Sequence, residues 1–458
     1  MLDKFTLKNF RSYKESTLHL APLTMLIGAN ASGKSNTIEA LRLLSWLAQG
    51  NRLHNIQKAI QDGSLLLRGR VRDIVSVTDS DVFFSCHGKT NEKNISLSLS
   101  MNIDKDDALH IVNEEMREKL GNGTSYLYKI IGRDEGFGTD VRVEYNNFAR
   151  GGNKPRITCS DQLTIFFQLD GPAKFQKGHK ESQERILGAT SFFRSWLSNI
   201  LFIDPVPSMM RGYSFRNEKM LLGDGRNLSS VLFHLWGGNK TETDLTDQEK
   251  ENRADILKFI RSLPEQDIET ISFIPTPRDE VMIKIRETFG GRVQEFDASM
   301  LSDGTLRVLA IAAAMLSIQE RGMVVIEEID NGIHPSRVEG LLKQIAFLSE
   351  KRNLRVLLSS HNPAMLDALP MSAIPDVVFC YRDPKDGYSR LIRMQDVPDN
   401  PELLCRGSMG YLMTSGIMDK FVKYHPGPEA KKKMALEWLE ELNKDLADMH
   451  ASMGNEMS

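Results

Sequence analysis

The stretch "MLIGANASGKSNTIEALRLL", residues 25–44, constrains this chain more than any other. Gly28, four residues, then Gly33, Lys34 and Ser35 is the spacing of a phosphate-binding loop. The chemistry requires these residue types. Glycines let the backbone curl so that successive N–H groups point at one anion. The lysine reaches the β- and γ-phosphates, and the serine hydroxyl ligates Mg²⁺. The flanks agree. "LTMLIG" reads as a buried strand, and "SNTIEALRLLSWLAQG" as a helix with Ile38, Leu41, Leu44 and Leu47 on one side and Gly50 near its end. The positive end of that helix points at the phosphates.

At 458 residues the chain has room for two or three lobes. A hydrophobic content of 41% and a charged content of 26% are ordinary for a globular protein. The net charge of −3 carries no global sign of a nucleic-acid or anionic-membrane partner, so any such contact must be local. Cys86, Cys159, Cys380 and Cys405 are far apart, with no histidine at zinc spacing, and read as scattered buried thiols. The N-terminus "MLDKFTLKNFRSYKES" lacks an apolar signal core, and no apolar run reaches membrane-spanning length. The expectation is a cytoplasmic protein without a membrane partner.

Alternating polar and apolar residues in "DKFTLKNFRSYKESTLHL" predict an antiparallel hairpin at the edge of the nucleotide lobe. "DVFFSC", "ISLSLSMNI", "SYLYKII", "VRVEYN", "RITCS" and "LTIFFQL" predict an antiparallel subdomain. "KESQERILGATSFFRSWLSNI" and "TDQEKENRADILKFIRSL" predict helices, the second opened by a capping box from Thr246 to Glu249, with a loop-rich stretch between them. Strand-like runs return over 269–298, and an α/β alternation follows residue 300. The tail "PEAKKKMALEWLEELNKDLADMH" predicts an amphipathic helix. The expected organisation is 1–80 as the first part of a nucleotide head, 81–180 as the β subdomain, 181–265 as a mostly helical insertion, 266–398 as the second part of the head and 399–458 as a helical tail.

A phosphate loop alone does not hydrolyse ATP, because Mg²⁺ and water must also be placed. "GMVVIEEID", residues 322–330, offers an apolar strand ending in Glu327 and Glu328. An acid at such a strand end holds Mg²⁺, and a second acid beside it polarises the attacking water. Without the phosphate loop, the same residues would read as a strand running into two solvated glutamates. "LSDGTLRVLAIAAAML" places Ser302 and Gly304 at a helix start where a hydroxyl and a backbone N–H meet a phosphate; alone it would be an ordinary helix start. "RVLLSSHNPAMLDAL" ends a further strand at Ser359, Ser360 and His361. A histidine there is usually structural, but one helix after the acidic strand it belongs beside the γ-phosphate.

In this order the motifs resemble the ABC-type ATPase heads of the RecF/SMC group, and "FTLKNFRSYKES" resembles that group's N-terminal hairpin. "LGDGRNLSSVL", "LSDGTLRVLAIAAAML" and "IEEIDNGIHPSR" resemble more closely the short-armed, stand-alone AAA ATPases of the OLD/RecF kind. The resemblance implies an α/β P-loop head with an antiparallel β subdomain and a helical insertion. It implies that Gly28, Asn30, Ser32, Gly33, Lys34, Ser35 and Asn36 cradle the phosphates of ATP, that Ser35 and Glu327 hold Mg²⁺, and that Glu328 is the catalytic glutamate. It implies that His361 is the switch histidine, that Arg11 approaches the nucleotide, and that Ser302 and Gly304 contact the ATP of a second subunit. Two departures stand out: glutamate replaces the usual Walker B aspartate, and LSDGT replaces LSGGQ. Both fit the subgroup. Gln162 and Gln168 are the candidates for a Q-loop glutamine.

The resemblance also implies a homodimer, or a higher oligomer, with ATP at the interface. Relatives of the OLD type carry a Toprim nuclease after the head, whereas the segment after His361 shows no spaced set of acidic metal ligands. A separately encoded nuclease or toxin, acting in antiphage defence, is then the expected partner. DNA is the alternative, touched by the basic loops "RGGNKPR" and "KFQKGHK" in a RecF-like repair role.

Overall fold

The computed structural model describes residues 1–424 apart from 62–65, 78–79, 90–92, 122, 134–137, 150, 152, 262–267 and 290, together with residue 436. The first strands are β1 (Leu2–Phe10), β2 (Tyr13–His19), β3 (Leu23–Ile27), β4 (Val82–Lys89), β5 (Asn94–Ile103), β6 (Leu109–Leu120), β7 (Gly123–Arg133), β8 (Asp140–Tyr145) and β9 (Arg156–Ser160). All except β3 join one antiparallel sheet in the order β2-β1-β4-β5-β6-β7-β8-β9. The expected hairpin is therefore continuous with the β region that follows, because β1 pairs with β4 as well as with β2. Alternation puts Phe5, Leu7, Phe84, Leu97, Leu99 and Val143 on a buried face, in one cluster with Ile38, Leu41 and Leu44. Ring centroids of Phe5 and Phe10 lie 5.6 and 5.5 Å from that of Phe84.

Later strands are β10 (Ile200–Ile203), β11 (Ser214–Phe215), β12 (Ile268–Pro275), β13 (Glu280–Phe289), β14 (Arg292–Asp297), β15 (Met323–Ile326), β16 (Arg355–Ser360), β17 (Val378–Arg382) and β18 (Ser389–Arg393). β3 sits inside a second sheet, ordered β10-β15-β16-β3-β17-β18 and parallel up to the antiparallel β18. Its central runs "LTMLI" and "MVVI" are buried throughout, as a parallel sheet covered on both faces requires. β11, β13, β12 and β14 make a small antiparallel sheet.

The phosphate-loop helix, Lys34–Ala48, buries Thr37, Glu39, Ala40, Leu43 and Ser45 beside the predicted apolar stripe, so it is enclosed on most of its girth. The helices Lys180–Ser198 and Asp247–Arg261 form as predicted. The capping box is present: Thr246 N–H donates to Glu249 Oε2 at 2.8 Å, and Glu249 N–H to Thr246 Oγ1 at 3.2 Å. Three readings change. "LTIFFQL" is a short helix, Ile165–Gln168, rather than a strand. β6 was hidden by its charged residues. β10 straddles the end of the predicted helix, at Ile200, and the start of the stretch expected to be loop-rich, and it pairs with β15.

Residues 396–424 belong to a separate compact unit with helices Asn400–Leu404, Met409–Thr414 and Ile417–Tyr424. The expected amphipathic tail helix falls, Leu436 apart, outside the described residues. Cys86, Cys159 and Cys380 are buried, but Cys405 is exposed, against the expectation for it. Among the described residues no helix is long and apolar enough to cross a membrane.

Candidate nucleotide site

The phosphate loop runs from the end of β3 into its helix, and its two glycines are sterically required. A Cβ on Gly28 would fall 2.1 Å from the Cys380 carbonyl oxygen. Gly33 has φ +120°, and a Cβ there would fall 2.5 Å from Ser389 Oγ and 2.9 Å from the Tyr13 hydroxyl. The loop is thus shaped by partners distant in sequence. The buried Tyr13 hydroxyl donates to Gly33 O at 3.2 Å, receives Thr37 Oγ1 at 2.8 Å and touches Cys380 Sγ at 3.1 Å. Ser389 Oγ reaches Ser32 O at 2.5 Å and Ser12 Oγ at 2.7 Å. Motif spacing gave no signal for Tyr13, Ser12, Ser389 or Cys380.

Lys34 Nζ donates to Gly28 O at 2.6 Å and Ala29 O at 3.0 Å, folding over the loop. Burial lowers its pKa, while Cys380, Glu328 and Asp330 pull it upward. Ala29, Asn30, Ala31 and Ser35 are exposed at the rim, and Ser32 and Gly33 are buried beneath. Room that only glycine leaves, a lysine folded over it and a rimming hydroxyl fit a polyphosphate with a hydrated divalent cation.

Asn36 faces the hairpin: its Nδ2 donates to Ser12 Oγ at 2.8 Å, and its Oδ1 accepts from Arg68 at 3.0 Å. Arg11, at φ +50°, pairs its Nε with Glu39 Oε2 at 2.6 Å, and Arg68 pairs with the other oxygen of Glu39. The Arg11 guanidinium is therefore committed to the side of the phosphate-loop helix. Gln162 donates to Leu109 O at 3.1 Å and to Asp161, and Gln168 to Ser160 O at 2.8 Å and Leu163 O at 2.7 Å. Both glutamine side chains are tied into the region around β9.

The sheet order brings the other motifs in. β16, which leads to His361, lies between β3 and the acidic strand β15. Glu327 pairs its Oε1 with Arg42 at 2.6 Å; burial raises the Glu327 pKa and Arg42 opposes that shift. Glu328 sits at φ +46°, a left-handed conformation costing a non-glycine residue about 1–3 kcal/mol. It is held there by Ser359 Oγ, 3.1 Å from its N–H, and by Asn331 Nδ2, 2.5 Å from its Oε2. His361 Nδ1 lies 3.7 Å from Asp330 Oδ2, and Asp330 is almost wholly buried while His361 is exposed. Asp204, which follows β10, is a further carboxylate here: burial raises its pKa, Glu328 adds to that, and Arg307 and Arg42 oppose it. An unpredicted strand placed it, which is why motif order missed it.

The signature turn is built separately. Ser302 caps the helix Asp303–Ser317, its Oγ accepting from Thr305 N at 3.1 Å. Asp303 Oδ1 pairs with Arg211 at 2.5 Å, and the same guanidinium donates to Leu301 O at 2.6 Å and Ser299 O at 2.9 Å. A Cβ on Gly304 would fall 2.9 Å from Gly332 O, so the helix start rests on the loop after β15. This helix packs mainly on Leu228–Trp236 and Asp247–Arg261, whereas the phosphate-loop helix packs on Lys180–Ser198 and β1. Ser302 and Asp303 are exposed, while Gly304, expected with Ser302 to contact a second subunit's ATP, is buried.

Of the basic loops, "RGGNKPR" lies partly outside the described residues; its Lys154 donates to Asn147 Oδ1 and Ala149 O, both at 3.0 Å. Lys174, Lys177 and Lys180 are exposed.

Residues 1–193 match the family model described as "AAA ATPase domain". Residues 159–367 match that described as "AAA domain, putative AbiEii toxin, Type IV TA system". A DNA replication and repair protein RecF from Limosilactobacillus reuteri is 35% identical over 97 residues, which is 20% of this chain and 26% of the relative. RecF from Thermosynechococcus vestitus is 44% identical over 63 residues, 14% of this chain and 16% of the relative. The chain thus spans about a quarter or less of the length of these relatives. An SMC head bound to the C-winged helix domain of ScpA aligns at TM-score 0.43 and 12% identity, covering 85% of this chain and 96% of that one. The SMC head domain from Thermotoga maritima aligns at 0.38 and 12%, covering 86% and 98%.

Proposed function

Starting from an AAA-family ATPase head of the RecF/SMC-like, ABC type, we propose that ATP joins two copies of this chain and that the joined state controls a separate effector protein, a nuclease or toxin, in antiphage defence. The observation that carries the dimer is the exposed signature turn. Asp303 is held by Arg211 and Ser302 is exposed beside it, with Gly304 buried behind them, on a helix whose packing partners differ from those of the phosphate-loop helix. A turn placed so is suited to the nucleotide of a second copy.

Within one site, Lys34 and the loop N–H groups bind the β- and γ-phosphates, and Ser35 with Glu327 holds the cation. Mg²⁺ supplies neutralisation of phosphate charge when bound. Glu328 takes the proton of the attacking water, and His361, backed by Asp330, reads the γ-phosphate. Loss of the γ-phosphate removes the bridge between copies and lets them part. The effector reading draws on the toxin-system description of the model matching residues 159–367.

A second reading, a RecF-like ATPase acting on DNA, draws on the RecF relatives and the exposed Lys174, Lys177 and Lys180. Tagged Glu328→Gln protein with ATP, recovered from its native host with and without phage infection, separates the two. A stoichiometric protein partner that leaves on infection supports the defence reading. Nuclease-protected DNA without a protein partner supports the RecF-like one.

A further inference from the structure

Arg42 lies seven residues beyond Ser35, two turns along the phosphate-loop helix, so the two side chains share one face of it. The end of β15 stands against that face. The Arg42 guanidinium is 2.6 Å from Glu327 Oε1 and lies 5.0 Å from the centre of the Phe202 ring on β10. The cation is thus held by a carboxylate and by an aromatic face. Only 16% of the Arg42 side chain and 21% of that of Glu327 are exposed, so the pair is poorly screened. Among the described residues Glu327 Oε2 makes no hydrogen bond, and it is the oxygen left for a cation.

The pair also bears on the unusual glutamate. A glutamate has one more rotatable bond than the aspartate expected from the resemblance, so an untethered one spreads over more positions. The tether on Oε1 removes that freedom. A cavity of about 240 Å³, lined by Arg42, Trp46, Phe202 and Asp204 among others, lies beside the guanidinium. Truncating Arg42 would enlarge it, admit water and leave Glu327 Oε1 without its ion-pair partner.

We infer that Arg42 is a positioning residue: it pins Glu327 Oε1 so that Oε2 serves the divalent cation shared with Ser35, and it thereby sets how much Mg²⁺ the nucleotide site needs. This rests on the nucleotide reading of the site. The test is binding of a fluorescent ATP analogue to the full chain across a Mg²⁺ titration, which needs no turnover. Arg42→Ala raises the Mg²⁺ concentration for half-maximal binding about 10–100-fold, the usual size of an orienting partner's contribution. Its binding without Mg²⁺ is unchanged, and Arg42→Lys recovers most of the loss. In a Glu327→Gln background Arg42→Ala adds nothing, because the two act as one unit. Should Arg42→Ala not fold, Arg42→Gln is titrated in its place with the same expectation. An unchanged Mg²⁺ requirement, or an equal effect with Glu327 intact and replaced, overturns the proposal. Failure of the unaltered protein to bind the analogue at any Mg²⁺ concentration overturns the nucleotide reading instead.

Discussion

At Gly28 a single methyl has nowhere to go, since the carbonyl of Cys380 occupies its place. Gly28→Ala should therefore cost about 1–3 kcal/mol of stability, the usual price of overpacking, and should weaken ATP binding as the loop shifts. Thermal unfolding and nucleotide titration measure the two effects. Lys34→Ala should differ in kind. Its side chain donates to the loop carbonyls of Gly28 and Ala29, so the fold should persist while ATP affinity falls roughly 10–100-fold, about 1.5–3 kcal/mol for a lost charged hydrogen bond. An affinity equal to that of the unaltered protein would remove Lys34 from the site. The glycines and the lysine were legible because their spacing is itself the chemistry. Tyr13, Ser389 and Arg42 were not, because each acts on a motif residue far from it in sequence or on another strand.

Elements were legible where burial is simple. β3 and β15 read directly as apolar runs, and the hairpin as an alternation. β6 was obscured because it buries two carboxylates, each satisfied by partners elsewhere in the fold. Glu118 is paired by Arg185 and Lys93. Glu114 accepts from Tyr128 Oη and from the N–H groups of Ile165 and Phe166, all at 2.7 Å, at the start of the short helix misread as a strand. Burial pushes the Glu114 pKa up to about 7, with those three hydrogen bonds opposing the shift. A folded-state pKa above the unfolded value means that the folded protein holds the proton more tightly. Stability from this group is thus greatest at low pH and falls as pH rises from about 4.5 to about 7. Glu114→Gln should flatten that part of the stability profile in denaturant titrations, whatever its effect on the absolute value; an unaltered slope would count against the assignment. The signature turn carries a separate prediction. Arg211→Ala should leave ATP binding by the single chain intact and weaken ATP-dependent association by about tenfold, the scale of a lost charged hydrogen bond, as read by analytical ultracentrifugation. Equal association would detach Arg211 from the signature's role.

For the molecule as a whole, the motif order already implied an α/β nucleotide head, and it is the parallel sheet of that head that gathers the phosphate loop, the acids and His361. It did not reveal that β10 flanks the acidic strand, because "ILFI" runs at once into Asp-Pro and a loop-rich stretch, and its burial depends on β15. The same sheet leaves the signature turn exposed on a differently packed helix, which supports the central proposal that ATP joins two copies. The most direct test is the solution mass of Glu328→Gln protein by light scattering, with ATP and Mg²⁺ and then with ADP and Mg²⁺. The account predicts twice the chain mass with ATP and a single chain with ADP. A single chain in both, with ATP demonstrably bound, would contradict it.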